Sequence, residues 1–226
     1  MTIDIKEICI LIPAFNEELS IKKVVEEVSK YGSVIVIDDG STDLTGKISK
    51  DFGAIVLKHQ KNQGYDKALN TGFKKANELK YKYLVTIDAD GQHSGVNIGE
   101  FIEKLEDGFI FINGVRRSFQ RLSEYVFSFY TKKIHNISDP LCGLKAYNLN
   151  VYSELGFFDS YSSIGTELML YCSMKKYKTW QININEKPRV GVSRFGNSIL
   201  SNILIIRSLV IAVKNDLCYY IKNELS

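Results

Sequence analysis

Tyr83-Leu-Val-Thr-Ile87 runs directly into Asp88-Ala-Asp90-Gly-Gln92-His93. The apolar run reads as a short buried strand, and the acids begin where it ends. Working outward, the first half of the chain alternates. Ile8–Ile12, Val34–Ile37, Ile55–Leu57 and Phe109–Ile112 are further apolar runs. Between them Ile21, Val24, Val25 and Val28 fall on one helix face. Ala68, Leu69, Gly72, Phe73 and Ala76 form a second face, and Ile98, Phe101, Ile102 and Leu105 a third. Thr42–Phe52 reads as another helix, with Ser41 a candidate N-cap. This alternation predicts an α/β fold, a mostly parallel sheet flanked by helices. Ligands of such sheets sit at the carboxyl ends of the strands. Polar clusters fall there: Asn16-Glu17, Asp38-Asp39, and Asp88 with Asp90.

The second half is less regular. Residues 116–138 mix Arg116, Arg117, Arg121, Lys132 and Lys133 with aromatics, and Glu154–Phe158 and Gly165–Lys176 read as short helical pieces. The longest apolar segment, Ile199–Val213, is 15 residues, short of the ~20 needed to span a bilayer. It predicts a helix that packs on the core or docks on a membrane surface or second subunit. Arg207, Lys214, Tyr219 and Tyr220 suit an interface of lipid and water.

Composition sets outer bounds. The 226 residues suit one domain, or one plus a small appendage, and 45% apolar content supplies a core. A net charge of +3 does not imply nucleic acid. Cys9, Cys142, Cys172 and Cys218 lack paired metal-ligand spacing, and Cys9 lies inside an apolar run, as a core residue would. A reducing cytoplasm is expected. The polar N-terminus leads into a strand without a signal-peptide pattern.

Asp88 and Asp90 can converge on one hard divalent cation, with Gln92 as a neutral oxygen ligand. The same residues also suit a polar turn. Asn16 can line a pocket or cap a helix. A carboxylate at Asp38-Asp39 can accept from a base N–H or ribose hydroxyls. Asn62-Gln-Gly64-Tyr-Asp-Lys67 opens a helix whose N–H groups can face an anion. No G-x-G-x-x-G fingerprint is present, which argues against NAD or FAD. His59 carries no signal of a special role, and His93 and His135 read as loop residues.

Pro13-Ala-Phe-Asn-Glu17, Asp38-Asp-Gly-Ser-Thr-Asp43, Asn62-x-Gly64 and Asp88-Ala-Asp-Gly-Gln-His93 occur in this order. Together they resemble the family 2 inverting glycosyltransferases of GT-A, Rossmann-like fold, most of all the dolichyl-phosphate mannose synthase-like branch. Gly114-Val-Arg116, Ser138–Lys145, Gly165-Thr-Glu167 and Pro188–Gly196 add to the likeness, which covers roughly residues 7 to 195. The resemblance implies a nucleotide-sugar donor bound by Pro13, Asn16, Glu17, Asp39, Gly64 and Asp88. It implies Mg²⁺ or Mn²⁺ at Asp88, Asp90 and Gln92. It also implies phosphate or acceptor contacts from Arg116, Arg117, Arg189 and Arg194, with Asp139 and Glu167 beside the acceptor. Asp90, Asp139 and Glu167 are thus the candidate catalytic residues, Glu167 in the general-base position. The secondary reading makes Arg116 and Arg117 solvated charges and Glu167 the partner of a structural lysine. Tyr65-Asp66 and Val115 depart from the family pattern and leave donor identity open.

The expected enzyme is a metal-dependent glycosyltransferase that moves a sugar from a GDP- or UDP-linked donor to a polyprenyl phosphate. A saccharide or glycolipid hydroxyl is the alternative acceptor. The expected organisation is a catalytic domain over 1–196 and a C-terminal amphipathic helix over 197–226. The helix would touch the inner face of the cell membrane, a homo-oligomer partner or a membrane subunit. A nucleotidyltransferase or a silent binding subunit are the rivals. The first would need a basic, Gly-rich N-terminal loop, which Pro13–Glu18 is not. The intact acidic motifs argue against the second.

Overall fold

The computed structural model describes residues 3–93, 95–189 and 199–224. In chain order the elements are β1 (Ile8–Ala14), α1 (Ile21–Val28), β2 (Ser33–Asp38), α2 (Thr45–Asp51) and β3 (Ile55–Lys58). Then come α3 (Tyr65–Glu78), β4 (Tyr83–Thr86), α4 (Val96–Glu106), β5 (Phe111–Val115) and α5 (Leu122–His135). The last are β6 (Lys145–Asn148), α6 (Asn150–Leu155), α7 (Glu167–Met174), β7 (Thr179–Asn183) and α8 (Ile199–Glu224). One seven-stranded sheet has the order β3-β2-β1-β4-β6-β5-β7. It is parallel except for β6, which runs antiparallel to both β4 and β5.

The strand pleat divides the core into two layers. Ile8, Ile10 and Ile12 point to one face, against Val24, Val25 and Val28 of α1 and Phe101 of α4. Cys9 and Leu11 point to the other, against Leu69 and Phe73 of α3 and further residues of α5 to α8. These side chains are at most a few per cent exposed, and each apolar one contributes about 1.5–3 kcal/mol on burial. Cys9 is a core residue, as its apolar surroundings imply, and burial pushes its thiol pKa up.

Local readings shift where tertiary contacts intervene. Ser41 does not cap α2. Its Oγ accepts from Asn16 N at 2.9 Å, and the helix starts at Thr45, whose N–H goes to Asp43 Oδ1 at 2.9 Å. The strand expected at Phe109–Ile112 runs over Phe111–Val115, because Phe109 packs on Trp180, ring centroids 5.2 Å apart. The expected helix at Glu154–Phe158 spans Asn150–Leu155 and stops at Gly156, whose φ of 89° suits a left-handed cap. α5, β6 and β7 carry no clear periodic signal in the sequence. α8 is 26 residues long. No helix among the described residues is long and apolar enough to cross a membrane.

Candidate active site

A cleft of about 750 Å³ opens at the carboxyl ends of β1, β2, β4 and β5. The loops after β1 and β2 are laced together first. Asn16, at φ 53°, accepts from Thr42 N at 2.8 Å. Glu17 N donates to Thr45 Oγ1 at 2.8 Å, and Leu44 N to Glu18 Oε2 at 3.0 Å. Asn16 therefore positions the pocket from behind, while Pro13, Phe15 and Glu17 line it.

The two acids ending β2 take opposite roles, as the pleat requires. Asp38 turns inward, accepts from Ser41 N at 2.8 Å and lies 3.4 Å from Lys58 Nζ. Asp39 faces the cleft. Its carboxylate accepts from Gln63 N at 2.9 Å and Gly64 N at 2.8 Å, and pairs with His59 Nδ1 at 2.6 Å. Three of its roughly four acceptor positions are filled, so it is aimed rigidly with one left for a ligand donor. His59 is thus not an idle residue. It clamps Asp39, and its Nε2 meets Thr71 Oγ1 at 2.9 Å. Gly64, at φ 94°, lets the chain turn into α3, and Gly64, Tyr65 and Ala68 line the cleft.

Asp88 and Asp90 follow β4 into the centre. Asp88 Oδ2 lies 3.3 Å from His93 Nε2, and its Oδ1 accepts from Tyr65 Oη at 3.5 Å. Burial would push the Asp88 carboxyl up. The His93 hydrogen bond and the charges of His93, Arg116 and Arg189 prevail and hold it low. His93, itself buried, is raised by Asp88 against the opposing effect of burial. Asp90 is raised by burial and by Asp88 beside it. Its Oδ1 accepts from Gln92 N at 3.0 Å, and its Oδ2 from Arg189 Nη1 at 2.9 Å. Arg189 reaches on to Glu17 Oε1 at 2.5 Å and closes the cleft floor. Among the described residues, His93 Nδ1 and Arg189 Nε are buried without a hydrogen-bond partner.

Arg116 leaves β5 into the cleft wall. Asp139 grips it in fork geometry, Nε to Oδ2 at 2.7 Å and Nη2 to Oδ1 at 2.9 Å. Glu124, buried at the start of α5, takes Arg116 Nη2 at 3.1 Å and Arg121 Nη1 at 2.6 Å. Asp139 is fully buried behind Arg116 and does not line the cleft. Glu167 does not reach it either. As the first residue of α7 it accepts from Ser160 N at 2.6 Å and Ser160 Oγ at 3.0 Å, beside a separate small pocket with Tyr161 and Asn215. Arg117 is exposed and lies outside the cleft lining. Arg194 lies outside the described residues.

Sequence reasoning missed other members of the lining: Glu186, Arg121, Glu124, Leu141, Ile164 and Ile205. Glu186 and Arg189 arrive on the segment after β7, which Lys187 N ties to Gln92 O at 2.8 Å. Burial raises the Glu186 carboxyl. Its neighbour Pro188 in the family-like stretch was the nearest signal for it. The lining holds six carboxylates (Glu17, Asp39, Asp88, Asp90, Glu124, Glu186) against three guanidiniums (Arg116, Arg121, Arg189). Such a cleft is short of positive charge. No group of three or more His, Cys, Asp or Glu forms a ready metal cage among the described residues. The donor set fits a hard cation that takes one or two carboxylates and fills its shell from a bound phosphate. Arg189 already offsets part of the Asp90 charge.

The sequence model described as Glycosyl transferase family 2 matches residues 9–158. The chain is 32% identical over 220 residues to UDP-N-acetylglucosamine–dolichyl-phosphate N-acetylglucosaminyltransferase of Methanococcus voltae, covering 81% of this chain and 84% of that one. It is 24% identical over 222 residues to undecaprenyl-phosphate 4-deoxy-4-formamido-L-arabinose transferase of Pectobacterium carotovorum, covering 89% and 66%. Glucosyl-3-phosphoglycerate synthase from Mycobacterium tuberculosis, solved with Mn²⁺, uridine diphosphate and glucosyl-3-phosphoglycerate, superposes with a TM-score of 0.74. That match covers 91% of this chain and 79% of the other at 20% identity, a likeness of fold.

Proposed function

The chain belongs to glycosyl transferase family 2, and from that premise we propose that it transfers a sugar, with inversion, from a nucleotide-sugar donor to a polyprenyl phosphate. The carrying observation is the charge of the cleft. Six carboxylates against three guanidiniums repel a bare nucleoside diphosphate, so the donor enters with a divalent cation, Mg²⁺ or Mn²⁺. Asp88 and Asp90 would hold it, with Gln92 beside them. A bound cation takes up part of the charge that grows on the leaving diphosphate.

The chain's own residues do the rest. Asp39, fixed by His59, Gln63 N and Gly64 N, presents an acceptor to the nucleoside. The unpartnered Arg189 Nε suits a phosphate oxygen, since an anion would satisfy it. Arg116 is held in place by Asp139 and Glu124, so it meets an anionic oxygen with little reorganisation. An oxygen of the acceptor phosphate forms the new bond to the anomeric carbon, and the bond to the diphosphate breaks with its electron pair. A phosphate acceptor is already an anion, and no base has to remove a proton. The Methanococcus and Pectobacterium relatives are named for lipid-phosphate acceptors, which supports this choice. A soluble donor and a lipid-borne phosphate meet at the inner face of the cell membrane.

Transfer to a hydroxyl is the second reading, favoured by one observation. Glu186 lines the cleft with a carboxyl raised by burial, where such an acceptor would need a base. A transfer assay decides. Purified protein is given Mn²⁺ or Mg²⁺, undecaprenyl phosphate and labelled UDP- and GDP-sugars, then extracted with organic solvent. Label is expected in the organic phase, abolished by chelation and reduced at least ~100-fold in Asp90→Asn. No lipid label, with nucleotide release on adding saccharide acceptors, would replace this reading by the second.

A further inference from the structure

Helix α8 is inside out. Its buried seam runs through Ser201, Ser208 and Asp216, with Ile205 and Ala212 between them. Its outward side carries Ile203, Ile206, Val210 and Leu217, the last two 61% and 58% exposed. α5 repeats the pattern. Ser123, Glu124, Thr131 and His135 face inward around a single buried aromatic, Phe127, while Leu122 and Phe129 stand 79% and 75% exposed. A helix packed on a soluble core shows the opposite arrangement.

The two helices lie side by side. Ser123 Oγ donates to Asn202 Oδ1 at 2.6 Å, and His135 Nε2 pairs with Asp216 Oδ2 at 2.8 Å. Rising numbers pair with rising numbers, so the helices run in one direction and their apolar sides adjoin. The charges on this face have one sign. Lys132, Lys133, Arg207 and Lys214 are exposed, whereas Glu124 and Asp216 are buried. Among the described side chains of both helices, every charge shown to solvent is cationic. A symmetric contact with a second copy would set these cations against their own counterparts. A bilayer with anionic headgroups accepts the apolar and the cationic groups together. The same helices border the cleft, through Glu124 of α5 and Ile205 of α8.

We propose that the outer face of α5 and α8 is a membrane-docking surface, lying in the headgroup layer of an anionic bilayer with the cleft entrance beside it. Its purpose rests on the polyprenyl-phosphate reading, because a docked cleft meets an acceptor phosphate without pulling the lipid from the membrane. The surface itself is tested apart from catalysis, by flotation of the full chain with vesicles. Phosphatidylcholine vesicles are compared with phosphatidylcholine–phosphatidylglycerol vesicles, at low and raised salt. The wild type floats with the anionic vesicles, less so as salt rises. Val210→Glu with Leu217→Glu, and separately Phe129→Glu, lower the bound fraction at least tenfold while leaving the melting curve unchanged. Lys132→Glu with Lys133→Glu removes the preference for anionic vesicles.

Wild type that stays at the bottom of the gradient, or variants that float like wild type, would overturn the proposal. So would a wild-type dimer in sedimentation that the apolar variants split, because a second copy would then cover the face. Flotation without transfer to any polyprenyl phosphate keeps the surface and removes the acceptor. Transfer to a water-soluble short-chain polyprenyl phosphate without flotation does the reverse.

Discussion

Gly143→Ala probes how tightly the cleft holds Asp88. A methyl group at Gly143 would stand 2.0 Å from Asp88 Oδ2, 2.4 Å from Cγ and 2.5 Å from Oδ1. Ordinary contact begins at 3.4 Å, so the carboxylate must retreat by about 1.4 Å or the backbone must part. The backbone is pinned, since Thr86 Oγ1 donates to Gly143 O at 2.7 Å and Thr86 pairs with Lys145 across the β4–β6 ladder. The side chain therefore moves and leaves His93. A displacement of about 1 Å near the reacting atoms costs ~100-fold in rate. Overpacking costs about 1–3 kcal/mol, and Tm falls by about 2–4 °C per kcal/mol in a chain of this size. The assay is kcat/KM for sugar transfer at saturating Mn²⁺, with Tm alongside. We expect a loss of at least ~100-fold in a protein that remains folded. In an Asp88→Ala background the Gly143→Ala change should cost nothing further in rate, because the displaced group is gone. Near-wild-type turnover in the single variant, or an undiminished loss in the double, would refute the reasoning.

Other outcomes follow from the same contacts. Asp139→Asn weakens the buried partner of Arg116, and urea titration should show a loss of about 3 kcal/mol; an unchanged midpoint would mean that Glu124 alone holds the guanidinium. Glu167→Gln should keep transfer within a few-fold of wild type on lipid and saccharide acceptors, because its carboxylate is spent on Ser160 outside the cleft. A loss of orders of magnitude would return Glu167 to the base position. The Asp66 carboxyl is raised to about 6, chiefly by burial and then by Asp159, against backbone N–H groups of Gly165 and Ile164. Its protonated form is favoured in the fold, so its contribution is fully present below its ordinary value of 3.8 and is lost as pH rises through about 6. Urea titrations from pH 4 to 7 should show wild type losing about 2.4 kcal/mol relative to Asp66→Asn over that window, and parallel curves would exclude the shift.

The helix face of Ile21, Val24, Val25 and Val28 is buried as the spacing implies, and the strands at Val34 and Tyr83 begin within a residue of the apolar runs. These elements announce themselves because one residue's environment repeats with a fixed period. β6 does not, since Lys145-Ala-Tyr-Asn148 is short and earns its place by pairing with β4 and β5 on both sides. α5 escapes the periodic reading, while α8 is the helix expected from the apolar run at Ile199–Val213. Phe127, Ile205 and Ala212 are buried, but most other apolar side chains of the two helices face outward, so the rule that apolar means buried misplaces them.

The sequence by itself determined the alternating α/β order, the mostly parallel character of the sheet and the acids waiting at strand ends. All of these are local patterns, legible within a few residues of chain. Only the tertiary structure decided which acids meet the cleft. Asp139 and Glu167 are taken by Arg116 and Ser160, while Glu186 and Arg189 swing in from the far end of the chain. Arg189 reaches Glu17 across 172 positions, and His59 reaches Asp39 across 20. A carboxylate's role depends on which donors surround it in space, and that neighbourhood exists only once the sheet has brought its loops together.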